Sequence, residues 1–157
     1  MAAATFMLDT DTLVFVVRGL RQQQRAHASR AERILARIRS AQAAGAAVGV
    51  SAVTVSELEY GTCRSAQPVT ERRAVAKILA PFELFDYDAV SAPRHYGEIR
   101  AHLEAAGVPI GAMDLLIAAH ARALGATLVT HNTAEFTRIE GLRCENWTEP
   151  AARAKPT

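Results

Sequence analysis

Apolar residues arrive along this chain in short bursts separated by longer amphipathic stretches. Thr5–Leu8 is one such burst, ending abruptly at Asp9-Thr10-Asp11-Thr12, and Leu13–Val17 resumes the apolar pattern as a first helix. Leu20–Ser40 is helical in composition, with Ile34, Leu35 and Ile38 forming a modest apolar face. A small-residue loop over 41–47 leads to a second burst at Val48–Val50. Ser51 is a fair N-cap for a helix over Ala52–Tyr60 that Gly61 should end. After a loop at Thr62–Val69, Val75, Ile78 and Leu79 mark a helix over Thr70–Leu79, and Phe82–Phe85 reads as a short strand. Asp86–Gly107 is mostly helical, with Ile99 and Leu103 one turn apart. Pro93 sets the start of that helix near Ser91 or kinks it. The most apolar helix is Leu115–Leu124, opened by Gly111 and Asp114 and stopped by Gly125. Thr127–Thr130 then reads as a buried strand, and a polar loop carries Asn132 and Glu135. Arg143–Trp147 is the expected edge strand, and 148–157 a polar, disordered tail beyond a domain of residues 1–147.

Strands alternating with helices predict an α/β fold. A single domain is expected, its central, mostly parallel twisted sheet built from four to five short strands flanked by helices. Ligands of open α/β sheets bind at the carboxyl ends of strands. Asp9 falls on that edge, directly after the first strand, and Glu57 and Asp114 follow at corresponding ends. A lone carboxylate in a first helical turn is ordinarily just a favourable charge at the helix N-terminus. Three converging carboxylates repel one another instead, and a divalent cation relieves the repulsion. Oxygen donors suit Mg²⁺, with Mn²⁺ able to substitute. The Thr10 and Thr130 hydroxyls are placed to hold the carboxylates or an ion's waters.

Composition narrows the function classes. The chain has 157 residues, half of them hydrophobic, enough for one domain with a proper core. Net charge is only +2, yet the basic residues are sixteen Arg and two Lys. Arg18, Arg21, Arg25, Arg30, Arg33, Arg37 and Arg39 crowd one stretch against Glu32 alone. This is either a solvated helix face or an arm that meets phosphates. Cys63 and Cys144 have neither metal-ligand spacing nor a disulfide framework, which fits a reducing, cytoplasmic setting. The start, MAAATFMLDTD, lacks the basic segment of a secretory signal. No run of about 18 apolar residues predicts a membrane span. His120 and His131 flank the acidic site in sequence, but a His in a buried helix is more often core than ligand. Trp147 reads as packing rather than a base-stacking platform.

The chain resembles the PIN-domain ribonucleases, and most closely their VapC-type toxin branch. The blocks that carry the resemblance are MLDTD at Met7–Asp11, SAVTVSELEYG at Ser51–Gly61 and IRAHLEAAGVPIGAMDLLIAAHA at Ile99–Ala121. LVTHNTAEF at Leu128–Phe136 and GLRCENW at Gly141–Trp147 complete them in the same order. The resemblance implies a metal-dependent endoribonuclease, often acting on transfer RNA and held inactive by a cognate VapB-type antitoxin. A homodimer is the expected assembly. Asp9, Glu57 and Asp114 are then the metal ligands and, with Glu135, the catalytic acids. Asn132 stands where this fold often has Asp, and with Thr10 and Thr130 it is a supporting residue. Arg25, Arg30, Arg33 and Arg37 become the candidates for RNA contact, and Val55 and Leu58 an apolar anchor for the antitoxin. The implied chemistry is hydrolysis: water, deprotonated with help from Glu57 or a neighbouring carboxylate, attacks phosphorus and the 3′ oxygen leaves.

Two other readings fit parts of the sequence. Asp9-Thr10-Asp11-Thr12 after an apolar strand also looks like the opening motif of haloacid-dehalogenase-type phosphatases, with Asp9 as nucleophile. That class needs a downstream Lys, and Lys77 is the only internal one. The other reading is a catalytically inactive PIN-like module that binds RNA or protein.

Overall fold

The structure is a computed structural model describing residues 2–21 and 25–150. Its elements run β1 (Thr5–Leu8), α1 (Thr10–Arg21), α2 (Arg25–Ala43), β2 (Ala47–Ser51), α3 (Ala52–Arg64) and α4 (Pro68–Leu79). They continue with β3 (Glu83–Phe85), α5 (Ser91–Ala105), α6 (Ala112–Leu124), β4 (Thr127–Val129), α7 (Thr133–Phe136) and β5 (Arg143–Glu145). All five strands are parallel, in the order β3-β2-β1-β4-β5. The central strand β1 has β2 on one side and β4 on the other, so the strand order reverses there.

Alternation along β1 divides the core. Met7 packs with Ile99, Leu103, Leu115, Ile117 and Phe136 under α5 and α6. Leu8, on the opposite face, packs with Leu13, Val16, Ile34 and Ile38 of α1 and α2. Alanines at 118, 119 and 121 are fully buried on α6 and let that helix lie close to the sheet. Gly49 is needed for strand spacing: a Cβ there would stand 2.3 Å from the Glu83 carbonyl of β3. Gly125 ends α6 in the left-handed conformation, φ 63°, as its place after the apolar run predicts.

The strands fall within a residue or two of their expected places, but several helices differ. α3 does not stop at Gly61; it continues to Arg64. Gly61 is exposed and Thr62 is buried, so packing of the following turn outweighs the modest helix penalty of glycine. The loop expected at Thr62–Val69 shrinks accordingly, because Pro68 occupies the first turn of α4, where its fixed φ suits a helix. Pro93 likewise sits in the first turn of α5 and causes no kink; the Asp88 carboxylate accepts the Ser91 and Ala92 amides and starts the helix there. The single helix expected over Leu20–Ser40 is two, α1 running to Arg21 and α2 beginning at Arg25. Glu135 lies in the one-turn helix α7 rather than a loop. Thr148, expected to open the tail, is held by Asn146 Oδ1 and its carbonyl accepts from Arg33; residues 151–157 lie outside the described residues. No helix among the described residues is long and apolar enough to cross a membrane.

Candidate active site

The carboxyl ends of β1 and β4 meet where strand order reverses, the usual ligand position in an open α/β sheet. Asp9 follows β1 and is 3 % exposed. Its Oδ1 accepts the Thr12 amide at 2.8 Å, so the side chain also caps α1 and starts that helix at Thr10, ahead of Leu13. Thr130, one residue past β4, hydrogen-bonds the Asp9 side chain. Thr12 donates its hydroxyl to the Val129 carbonyl at 3.2 Å, tying α1 to β4. Glu57 comes from the middle of α3. Thr10 Oγ1 donates to Glu57 Oε1 at 2.6 Å and shares a 3.0 Å hydrogen bond with Thr54 Oγ1. A hydroxyl has one proton, and a carboxylate can only accept, so Thr54 is the donor in that second bond. Asp114 occupies the first turn of α6. Asn132 caps the loop after β4: its amide donates to Thr130 Oγ1, and its Nδ2 donates to Glu135 Oε2 at 2.6 Å.

Electrostatics shows that these groups converge. A carboxylate at a helix N-terminus should ionise more easily than usual. Asp114 does the reverse: its pKa is pushed up from 3.8 to about 6. Burial is the largest cause, followed by the negative charges of Asp11, Asp9, Glu135 and Glu57. Burial and the surrounding carboxylates together therefore outweigh the helix dipole at this position. Asp9 is also raised, by burial first, although hydrogen bonds from Thr12 and Thr130 oppose the shift.

The structure thus brings together Asp9, Glu57, Asp114 and Glu135, with Thr10, Thr130 and Asn132 as their hydrogen-bond partners. Asn132 acts as a donor that orients Glu135. Asp11 belongs to the same field and sequence reasoning missed it; the signal was its place in MLDTD, two positions after Asp9. Thr12 and Thr54 were missed because each looks like an ordinary helix residue until its partner is known.

Other candidates lie elsewhere. Arg37 pairs with Glu145 at 3.1 Å and stacks over Trp147, and Arg33 donates to the Thr148 carbonyl, so both make internal contacts. Arg25 and Arg30 are exposed. Trp147 is 2 % exposed, packed against Phe6, as expected for a core residue. Val55 and Leu58 are half-buried against the α1–α2 side of the core rather than exposed. Leu58 does line a groove of ≈ 390 Å³ with Val14, Val17 and Ile78, and Thr10 and Glu57 line it as well. Burial and the Asp9 charge push the Cys144 thiol up to about 11, which makes it inert. Lys77 is exposed on α4, so among the described residues no lysine joins this cluster for the haloacid-dehalogenase reading.

The donors are all oxygen: five carboxylates, threonine hydroxyls and an amide, with no thiol or imidazole among them. That set matches a hard divalent cation and not zinc. Among the described residues, no three His, Cys, Asp or Glu side chains stand close enough to chelate an ion together. Glu57 and Glu135 are instead held by Thr10 and Asn132. Such spacing suits an ion that keeps several of its waters and takes few protein ligands directly.

Residues 6–142 match the family described as the PIN domain. The tRNA(fMet)-specific endonuclease VapC of Salmonella typhimurium is 35 % identical over 146 residues, covering 90 % of this chain and 97 % of that protein. Ribonuclease VapC2 of Haemophilus influenzae is 37 % identical over 142 residues, with the same coverage of 90 % and 97 %. Among solved structures, DNA-bound VapBC from Salmonella typhimurium superposes with a TM-score of 0.76 at 34 % identity, covering 92 % of this chain and 98 % of that one. VapBC2 from Rickettsia felis, bound to a fragment of its promoter, gives 0.73 at 33 % identity, covering 91 % and 98 %. With the same fold and this similarity along nearly its whole length, the chain belongs to the PIN-domain family and, within it, to the VapC ribonucleases.

Proposed function

We propose that this protein is a Mg²⁺-dependent endoribonuclease toxin that hydrolyses transfer RNA and is neutralised by a VapB-type antitoxin. The carrying observation is Asp114, a first-turn carboxylate raised to about 6 by burial and by four neighbouring acids. A fold gains nothing in stability from such a cluster, which supports an active nuclease over an inactive module. When bound, Mg²⁺ would be held by one or two of Asp9, Glu57 and Asp114 directly and by the others through its waters, and would neutralise phosphate charge and make water more acidic. The chain's own residues supply the rest. Thr130 and the Thr12 amide fix Asp9, Thr10 fixes Glu57, and Asn132 fixes Glu135, so each acid meets the scissile phosphate in a set orientation. Glu57 or a neighbouring carboxylate takes the proton of the attacking water.

Transfer RNA as substrate rests on the Salmonella typhimurium relative, named for tRNA(fMet). The antitoxin rests on the solved VapBC complexes. We further propose a homodimer in the cytoplasm, a setting the free Cys63 and Cys144 fit. Size-exclusion chromatography with light scattering reads the assembly directly. The catalytic reading is tested by titrating Mg²⁺ into wild-type protein and Asp9→Asn with labelled transfer RNA. Asn retains an oxygen that can cap α1, so the variant should fold and lose cleavage. Wild-type rates from Asp9→Asn, or full activity in chelator, would defeat it.

A further inference from the structure

His120 is fully buried in α6 and takes no part in the acidic site. Its Nδ1 lies 2.8 Å from Ser51 Oγ. Ser51 is equally buried; it ends β2, and its Oγ accepts the Val53 amide at 3.1 Å as the N-cap of α3. With Oγ already accepting from Val53, its single proton is free to go to His120 Nδ1. The ring is then neutral, with its own proton on Nε2. Burial favours that state by lowering the imidazole pKa, against the opposing pull of the Asp86 backbone and of the Asp88 and Asp86 charges. Tyr87 meets the ring edge-on, centroids 5.3 Å apart. Nε2 itself is buried without a hydrogen-bond partner of ordinary geometry.

An aliphatic side chain would fill this place without a nitrogen whose one neighbour, the Asp86 backbone, stands outside ordinary hydrogen-bond geometry, so packing alone does not account for a histidine. Its placement does. α6 carries Asp114, and Ser51 heads the helix that carries Thr54 and Glu57. Among the described residues, His120–Ser51 is the one side-chain hydrogen bond that joins α6 to the β2–α3 junction. We infer that His120 is a positioning residue for the nuclease, fixing α3 against α6 through Ser51 and thereby setting the separation of Glu57 from Asp114. The inference rests on the carboxylates being the reaction centre; it is independent of which cation they take.

The test compares His120→Leu, His120→Asn, Ser51→Ala and the double variant Ser51→Ala/His120→Leu in steady-state RNA cleavage, after thermal unfolding confirms that each folds. Asn places an oxygen near the position of Nδ1, able to accept the Ser51 proton. His120→Leu and Ser51→Ala should lower kcat by roughly ten- to hundredfold, the range that small misplacements of reacting groups produce, with KM within about twofold. His120→Asn should retain most of the rate, and the double variant should be no worse than either single one. Wild-type kcat in His120→Leu overturns the inference. So does His120→Asn as impaired as His120→Leu, a change confined to KM, or an additive double variant.

A second measurement stands even if a variant fails to fold or the wild type cuts no RNA. In ¹⁵N-labelled wild-type protein at pH 7, His120 should show the neutral tautomer protonated at Nε2, and α3 amides should exchange slowly beside it. A ring protonated at Nδ1, or charged, overturns the proposed bond. Loss of cleavage by the wild type with this tautomer intact would count against the nuclease reading alone.

Discussion

Replacing Asp114 by Asn should give a protein that is more stable and inactive. The rise in its pKa from 3.8 to about 6 means that the native state resists ionising this group. At 1.36 kcal/mol per pH unit, the rise corresponds to about 3 kcal/mol. Asp114 is only half-buried, so solvent screens its neighbours, and about 1–1.5 kcal/mol is the expected gain. For a domain of this size that raises Tm by about 2–6 °C. The direction with pH follows from the raised value: the folded chain holds the Asp114 proton more tightly than the unfolded chain does. The wild-type penalty is therefore complete above about 6 and fades as pH falls toward 3.8. Thermal unfolding of both proteins in chelator at pH 7.5 and at pH 4 measures this. The gap should be open at the first pH and nearly closed at the second. Saturating Mg²⁺ at pH 7.5 should narrow it from the wild-type side, because a ligand of the native state adds stability. A Tm for Asp114→Asn equal to or below wild type at pH 7.5 without metal would refute the electrostatic reading of the site.

The cleavage products should carry a 5′ phosphate and a 3′ hydroxyl, since water and not the 2′ hydroxyl is the attacking group; a 2′,3′-cyclic phosphate detected by mass spectrometry contradicts this. Arg25→Gln and Arg30→Gln should weaken RNA binding and flatten its salt dependence by about 0.7 in slope for each phosphate no longer neutralised, whereas Arg37→Gln should leave the slope alone and lower Tm, because Arg37 holds Glu145 and Trp147. The antitoxin should place an Arg among Asp9, Glu57 and Asp114 while covering the groove beside Leu58, a planar cation pairing with carboxylates. Titration calorimetry should show Mg²⁺ competing with it, and truncating that segment should restore cleavage; a complex with the carboxylates open and full inhibition would leave only steric exclusion.

Much of the fold was legible along the chain. The strands are short apolar bursts, Asp9 follows the first of them, Ser51 caps α3 and Gly125 stops α6, all from local period and capping chemistry. The family blocks pointed to the acids that the structure brings to one edge, because those acids stand in fixed local contexts: MLDTD after a strand, SELEYG within a helix, MDLL at a helix start. Gly61 misled because a local stop signal of about 1 kcal/mol yields to burial of the next turn at Thr62. Tertiary structure alone decided the order β3-β2-β1-β4-β5, which makes the ends of β1 and β4 neighbours. It also decided that Asp11 presses on Asp114, that Arg37 turns inward to Trp147 and that His120 meets Ser51. These are distances through space between groups far apart along the chain. Hydrophobic period and capping act over a few residues, whereas the field at a carboxylate and the partner of a buried imidazole depend on which segments the assembled sheet sets side by side.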